Sequence, residues 1–433
     1  VGGRQIAGEM LQVAIMGIYQ EALNSEIEKV PQVFLARFLQ EKLADQGISL
    51  SRRECQVLAK RALEKDLEAI ELPWWRFWQF RQLNRVAIKF TVEDERKVAD
   101  ALEEFSGTIL PEMVQQLIAE HPDAVLAKLR NRWKRERRRQ RHSEQGFRQR
   151  LQVRWGVPME KLRMLLTVAS EFGAAINSDL RNAAEGESKC LIDVLTRLHA
   201  RACQITCEVE CLLSGGFSDG AMARWRSLHE VAVVALFISK HGAQCAERYI
   251  HHEIVESRKG AKNYERFQGR LGYEPIALSE LEDVERQYQL VLKRYGRDFR
   301  EQYGWARPYL EVSENARVNF SDIEAAVDVD HMRVHYQMAS HNVHANPKGV
   351  FFKLGIVGES NVLLAGASNA GLADPGHSSA ISLNQVSSTL AVLDPSLDNI
   401  IVMQIMVKLA DEIGSGFLEA SENLEQDHAK VVD

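Results

Sequence analysis

The stretch RWRSLHEVAVVALFISKHGAQCAERYIHHEIVES, Arg224–Ser257, decides how this chain is read. Its apolar octet Val231–Ile238 is far shorter than the about 20 residues a bilayer crossing needs. Polar residues enter the stretch at helical intervals, with Arg226, His229 and Glu230 on one predicted helix (Asp219–Lys240). Glu247, Arg248, Tyr249, His251, His252 and Glu253 stand on the next (Gln244–Gln268). Two such helices in succession predict an all-α bundle.

Outward from this pair the same pattern continues. Helices are expected at Met159–Arg181 and Ser188–Leu213 upstream, and at Leu278–Tyr303, from about Ser321, and at Asp330–His344 downstream. VFFKLGIV and NVLLAGAS, joined by Gly358-Glu359-Ser360, predict a small β-hairpin near 350–367. Two more helices, Ser379–Val392 and Ser396–Asn423, complete the C-terminal region. Ahead of the bundle, Lys128–Arg154 carries twelve Lys/Arg against two Glu, in a chain whose net charge is −6. Trp155-Gly156-Val157-Pro158 predicts a helix break and places the main boundary near residue 156. Further upstream lie predicted helices over 3–26 and Val33–Gln46, a capping box from Ser51 to Glu54, the aromatic run LPWWRFWQF (Leu72–Phe80), read as buried core area in preference to an exposed binding patch, and two short helices within 92–121. The expected organisation is a helical domain over 1–121, an Arg-rich helix or linker over 122–156, a bundle with its hairpin over 157–426, and a tail over 427–433.

Composition bounds the classes. Hydrophobic residues at 45%, charged residues at 26% and only ten prolines exclude a disordered or collagen-like chain. Six cysteines in 433 residues form no disulfide framework. The first twenty residues lack the layout of a signal peptide, so a cytoplasmic location without membrane attachment is expected. No phosphate-binding GxxxxGK[ST] or HExxH occurs, which removes the common nucleotide and zinc-protease readings, and no cofactor is expected.

Three groups of residues carry candidate chemistry. Cys203, Cys207 and Cys211 recur every four residues, a thiol face that could hold a soft metal or pack as core. His331, His335, His341 and His344 fall within fourteen residues, and imidazoles suit proton transfer near neutrality. The Arg-rich run, with Arg132, Lys134, Arg135, Arg137, Arg138, Arg139 and Arg141 at its centre and Trp133 among them, suits a phosphate backbone or an acidic protein partner; a solvated face is the bland alternative.

Arg226 and Glu230, the triplet Glu247-Arg248-Tyr249, and Ser340, Val343 and His344 together resemble a bacterial helical family known only as a domain of unknown function, over roughly 185–415. That family in turn resembles the HEPN superfamily of helical bundles, many of them dimeric, metal-independent ribonucleases of toxin–antitoxin and antiviral systems. Their mark is Arg-x4–6-His, and Arg224 and His229 have that spacing. The resemblance implies an HEPN-like bundle, a homo-oligomer and a toxin or defence effector that cleaves RNA without metal. In that reading Arg226 or Arg224 stabilises the phosphorane charge, His344 with His341 or His335 serves as general acid or base, and Glu230 and His229 line the same cleft. Glu247, Arg248, Tyr249, Glu253 and Ser340 would support them from behind. Two alternatives stand beside it: a non-catalytic module that binds nucleic acid or protein through the Arg-rich helix, and a metal-dependent hydrolase using His and Glu of adjacent helices.

Overall fold

The computed structural model of the chain describes residues 18–64, 70–71, 85–86, 91–183, 186, 188–313, 316–358 and 363–432. The aromatic run 72–80 and most of the expected helix over 3–26 lie outside these residues. The chain divides into two compact units between His142 and Ser143.

In the first unit, α1 (Ile18–Asp45) and α2 (Arg52–Glu64) pack through Ala36, Leu39, Leu43, Ile48, Leu50, Cys55, Leu58 and Ala59. One helix thus replaces the two expected up to Gln46, and it carries Pro31 inside it. The Ser51 capping box is present: Ser51 N donates to Glu54 Oε2 at 2.8 Å and Glu54 N to Ser51 Oγ at 3.4 Å. A two-residue antiparallel ladder pairs β1 (Ile70–Glu71) with β2 (Arg85–Val86). α3 (Val92–Glu104) opens on a second capping box, Thr91 with Asp94, and Asp94 also pairs with Lys42 of α1 at 2.8 Å. A π-helical turn, Phe105–Ile109, leads into α4 (Leu110–Ala183).

α4 corrects the expected break at Trp155–Pro158, because the helix runs through Pro122, Gly156 and Pro158 without interruption. An interior proline disfavours a helix by about 3 kcal/mol and a glycine by about 1. Against that, Leu151, Trp155, Met159, Leu162, Leu165, Ala169, Phe172 and Ile176 form one stripe buried in the second unit's core. At about 1.5–3 kcal/mol per fully buried side chain, the stripe outweighs the local penalty. Trp155 is fully buried and donates from Nε1 to Asn369 Oδ1 at 2.8 Å.

The second unit is the bundle. α5 (Ser188–Ser214) and α6 (Ser218–His241) pack antiparallel, and α6 ends where Gly242 takes φ 78°. α7 (Ala243–His251) and α8 (Glu253–Leu271) split the single helix expected there at His252. α9 (Leu278–Tyr295), α10 (Phe320–Ala326), α11 (Arg333–Val343) and the short α12 (Pro347–Phe351) follow. α13 (Ala373–Leu393) is buried along much of its length, and α14 (Leu397–Val432) closes the unit. The serine-rich face of α13 receives Trp225 of α6, whose Nε1 donates to Ser378 O at 3.0 Å and Ser382 Oγ at 3.1 Å. The tail expected over 427–433 is helical through Val432, and Asp427 pairs with Arg154 at 2.6 Å.

The hairpin expected near 350–367 is overturned. Its first half begins as α12, where Pro347 occupies the first turn and Asn346 Oδ1 accepts from Gly349 N at 2.8 Å. Beyond it, backbone groups bond to other elements instead of a ladder. Leu354 N donates to Asp219 Oδ1 at 3.0 Å and Ser368 N to Gly216 O at 2.9 Å. The β-compatible composition was real, but the backbone partners came from elsewhere in the fold. All-α architecture stands, with the two-residue ladder of the first unit the one strand pair among the described residues.

Candidate functional site

One polar cluster draws on three elements of the bundle. On α6, Arg226, His229 and Glu230 sit at i, i+3 and i+4 and so share a face. On α11, Arg333 and Tyr336 are likewise three apart, and α10 contributes Glu324. Arg226 Nη2 donates to the Tyr336 hydroxyl at 2.6 Å, and that hydroxyl donates to Glu230 Oε1 at 2.6 Å. Arg226 also pairs with Glu230 at 3.1 Å and stacks over the Tyr336 ring at 4.6 Å. Below, His229 Nε2 meets Glu324 Oε1 at 2.9 Å, and Arg333 donates to the other Glu324 oxygen. Trp225, Phe320 and Tyr336 pack around the His229 ring.

His229 and Glu324 have no exposed surface, so no substrate reaches the pair. Burial, reinforced by the Glu230 carboxylate, holds the Tyr336 phenol well above its ordinary range, which makes it a hydrogen-bond donor and not a base. Arg226, Arg333 and the Tyr336 hydroxyl each donate to a partner, while Arg226 Nε and His229 Nδ1 are buried without one among the described residues. The cluster therefore fastens α10 and α11 to α6.

The other residues expected to converge with it go elsewhere. Arg224 lies five residues before His229, about 140° around the helix, and pairs with Glu208 of α5 instead. The Arg-x4-His spacing is present in sequence and does not form a pair in the fold. His344 is exposed at the end of α11, two turns beyond Tyr336. His341 Nδ1 accepts from Asn346 Nδ2 at 2.8 Å, and His335 sits edge-on to Trp225 with its Nδ1 buried. The Ser340 hydroxyl donates back to Tyr336 O at 2.8 Å. Glu247 receives Arg294 at 2.8 and 2.9 Å, while Arg248 donates to Trp305 O at 3.0 Å and Gly304 O at 2.9 Å. Tyr249 packs against Trp305, and Glu253 accepts from Ser257 Oγ at 2.6 Å. Glu247 thus ties α7 to α9, Arg248 and Tyr249 tie α7 to the segment after α9, and Glu253 bonds within α8; none of the four joins the cluster. Cys203 lies half-buried 3.8 Å from His199 Nδ1, and Cys207 and Cys211 are exposed. Among the described residues no group of three or more His, Cys, Asp or Glu could hold a metal ion.

Sequence alone did not single out Glu324, Arg333 or Tyr336. The Arg333–Tyr336–Ser340 spacing (i, i+3, i+7) would have put all three on one face; Glu324, 95 residues from His229, left no such signal.

The Arg-rich run is different in kind. Arg132, Lys134, Arg135, Arg137, Arg138, Arg139 and Arg141 all lie on the unbroken α4 and all are exposed. From Lys128 to Arg141 nine cations meet one carboxylate, Glu136. Among the described residues no ion pair joins Arg132, Lys134, Arg135, Arg137, Arg138 or Arg141 to an acid. Like charges this close repel one another along the helix.

No helix among the described residues is long and apolar enough to cross a membrane. No curated protein and no solved structure matches the chain. Nothing in these comparisons connects it to HEPN proteins. Residues 192–359, which hold α6, the polar cluster and α12 but not the Arg-rich run, match a family of unknown function, DUF5677.

Proposed function

We propose that this protein binds nucleic acid through the Arg-rich segment of α4, with the bundle as scaffold. The observation that carries the reading is the exposed cation density of Lys128–Arg141, nine cations to one carboxylate, on one continuous helix. A polyanion that releases counterions on contact is the partner such a surface favours, and each neutralised phosphate adds salt-dependent affinity. RNA cleavage ranks below binding, because Arg224 and His229 turn to different partners and His229 is sealed.

One titration tests both. Fluorescence anisotropy with labelled RNA and DNA oligonucleotides, repeated from about 50 to 200 mM salt, is expected to give a steeply falling affinity. Replacing Arg135, Arg137 and Arg141 with Ala is expected to flatten the log–log slope by about 3, and His344→Ala to leave it unchanged. Affinity indifferent to the triple replacement would remove the proposal. A gel of the same unlabelled RNA scores the competing outcome: intact RNA favours a binding module, and metal-free cutting abolished by His344→Ala restores the effector reading.

A further inference from the structure

The geometry of the basic helix points to one form of nucleic acid, an inference that rests on the reading above and sharpens it. Successive residues of a helix turn by about 100°. On that wheel Lys128, Arg132, Arg135 and Arg139 fall within an arc of about 60°, and Arg130, Lys134, Arg137 and Arg141 within a second arc of about 60°. Their centres are about 160° apart. Between them, facing outward, lie Asn131, Arg138 and His142, all exposed. The opposite side is the one turned toward protein: Val125 is buried and Leu129, Glu136 and Gln140 are half-buried. The helix therefore offers a cationic ridge on each flank and a row of hydrogen-bonding side chains along the middle.

Those dimensions match a groove walled by two phosphate strands. A helix with its side chains is about 10–12 Å across, and the major groove of B-form DNA is about 12 Å wide. Seated there, each flank meets one strand, and the middle row reaches base edges, where Arg reads guanine and Asn reads adenine. The major groove of an A-form RNA duplex is too deep and narrow to admit a helix. A single strand offers one row of phosphates, which leaves one flank without a partner. The segment Lys128–Arg141 spans about 20 Å of helix axis, enough to follow about six base pairs of groove. We propose that this segment binds double-stranded DNA in its major groove, with the two flanks on phosphates and Asn131 and Arg138 on bases.

The experiment uses the full chain and three 20-mer probes: a DNA duplex pool with a random core, the corresponding RNA duplex, and the single DNA strand. The DNA duplex is expected to bind at least tenfold tighter than either other probe at equal salt. Selection from the pool is expected to enrich a short core motif. Asn131→Ala should relax preference at one position of that motif with the salt slope unchanged, whereas Lys134→Ala should weaken every sequence alike and reduce the slope by about 1. Alanine favours helix, and unchanged circular dichroism confirms that both variants fold. Equal affinity for the RNA duplex or the single strand overturns the DNA assignment while leaving nucleic-acid binding intact. A failure of all three probes to bind overturns both.

Discussion

His229 and Glu324 show how much of this fold rests on single buried polar contacts. Neither has exposed surface, and Arg333 completes the charge balance on the carboxylate. Glu324→Ala strands a guanidinium and an imidazole, and removing one member of a buried pair is expected to destabilise by about 3–5 kcal/mol. The joint replacement His229→Phe with Glu324→Leu is expected to cost less than Glu324→Ala alone, measured by urea unfolding of each variant. A second buried histidine sets the response to acid. His199 is buried beside Ser387, and burial pushes its pKa down to about 4. Its folded pKa lies below the unfolded value of about 6.5, so between these limits the unfolded chain binds a proton that the folded chain refuses. The penalty is absent above pH 6.5, grows as pH falls, and reaches about 3 kcal/mol near pH 4. His199→Gln should flatten that slope in unfolding curves collected from pH 7 to pH 4. At this scale the sequence was legible only locally. Arg226 and Glu230 announce their pairing by a four-residue spacing, whereas the bridging Tyr336 lies 110 residues from Arg226 and carried no positional cue.

Among the elements, α4 and α12 departed furthest from their local signals, for opposite reasons. Gly156 and Pro158 are strong helix breakers in isolation, yet a long apolar stripe recruits the whole segment into one helix. Pro158 then sits where it removes a backbone hydrogen bond, while its Cβ faces Gly416 of α14. Alanine keeps that Cβ and restores the donor. Pro158→Ala is therefore expected to stabilise the protein by about 2 kcal/mol, the helix gain less the lost rigidity of the unfolded chain, read as a raised denaturation midpoint. In the segment after α12 the β-compatible residues of VFFKLGIV carried no information about where its backbone groups would bond. Gly371 closes that loop with φ 73°, and a Cβ there would lie 2.2 Å from Leu354 O. Gly371→Ala should cost more than the about 1–3 kcal/mol of an unfavourable φ alone, since the backbone of Leu354 must also move. A melting temperature within error of the parent would contradict the packing described for this loop. The regular helices, by contrast, were legible because their periodicity and their burial agree, as in Ser188–Ser214 and Ser218–His241.

For the molecule as a whole, the deciding fact is that the described hydrophobic residues form two separate cores. The one in the first unit draws on eight side chains of α1, α2 and the loop between them. The other runs from Leu151 to Ala420 and takes in most of the bundle. The charge shift at Lys128–Arg154 marked this part of the chain in sequence, but charge says where solvent is and not where contacts end. The division between His142 and Ser143 therefore falls inside an unbroken helix, with no Gly or Pro at the junction. Separate cores of unequal size imply separate stabilities, since burial is the main favourable contribution to each. Two thermal transitions are expected by calorimetry, with the first unit melting at the lower temperature. Native-state hydrogen exchange on the intact chain locates the order: amides of Leu39–Leu43 and Cys55–Ala59 should open with lower free energy than those of Leu195–Val209 and Leu228–Ile238. A single cooperative transition with equal protection at all four segments would show that the shared helix couples the cores into one folding unit.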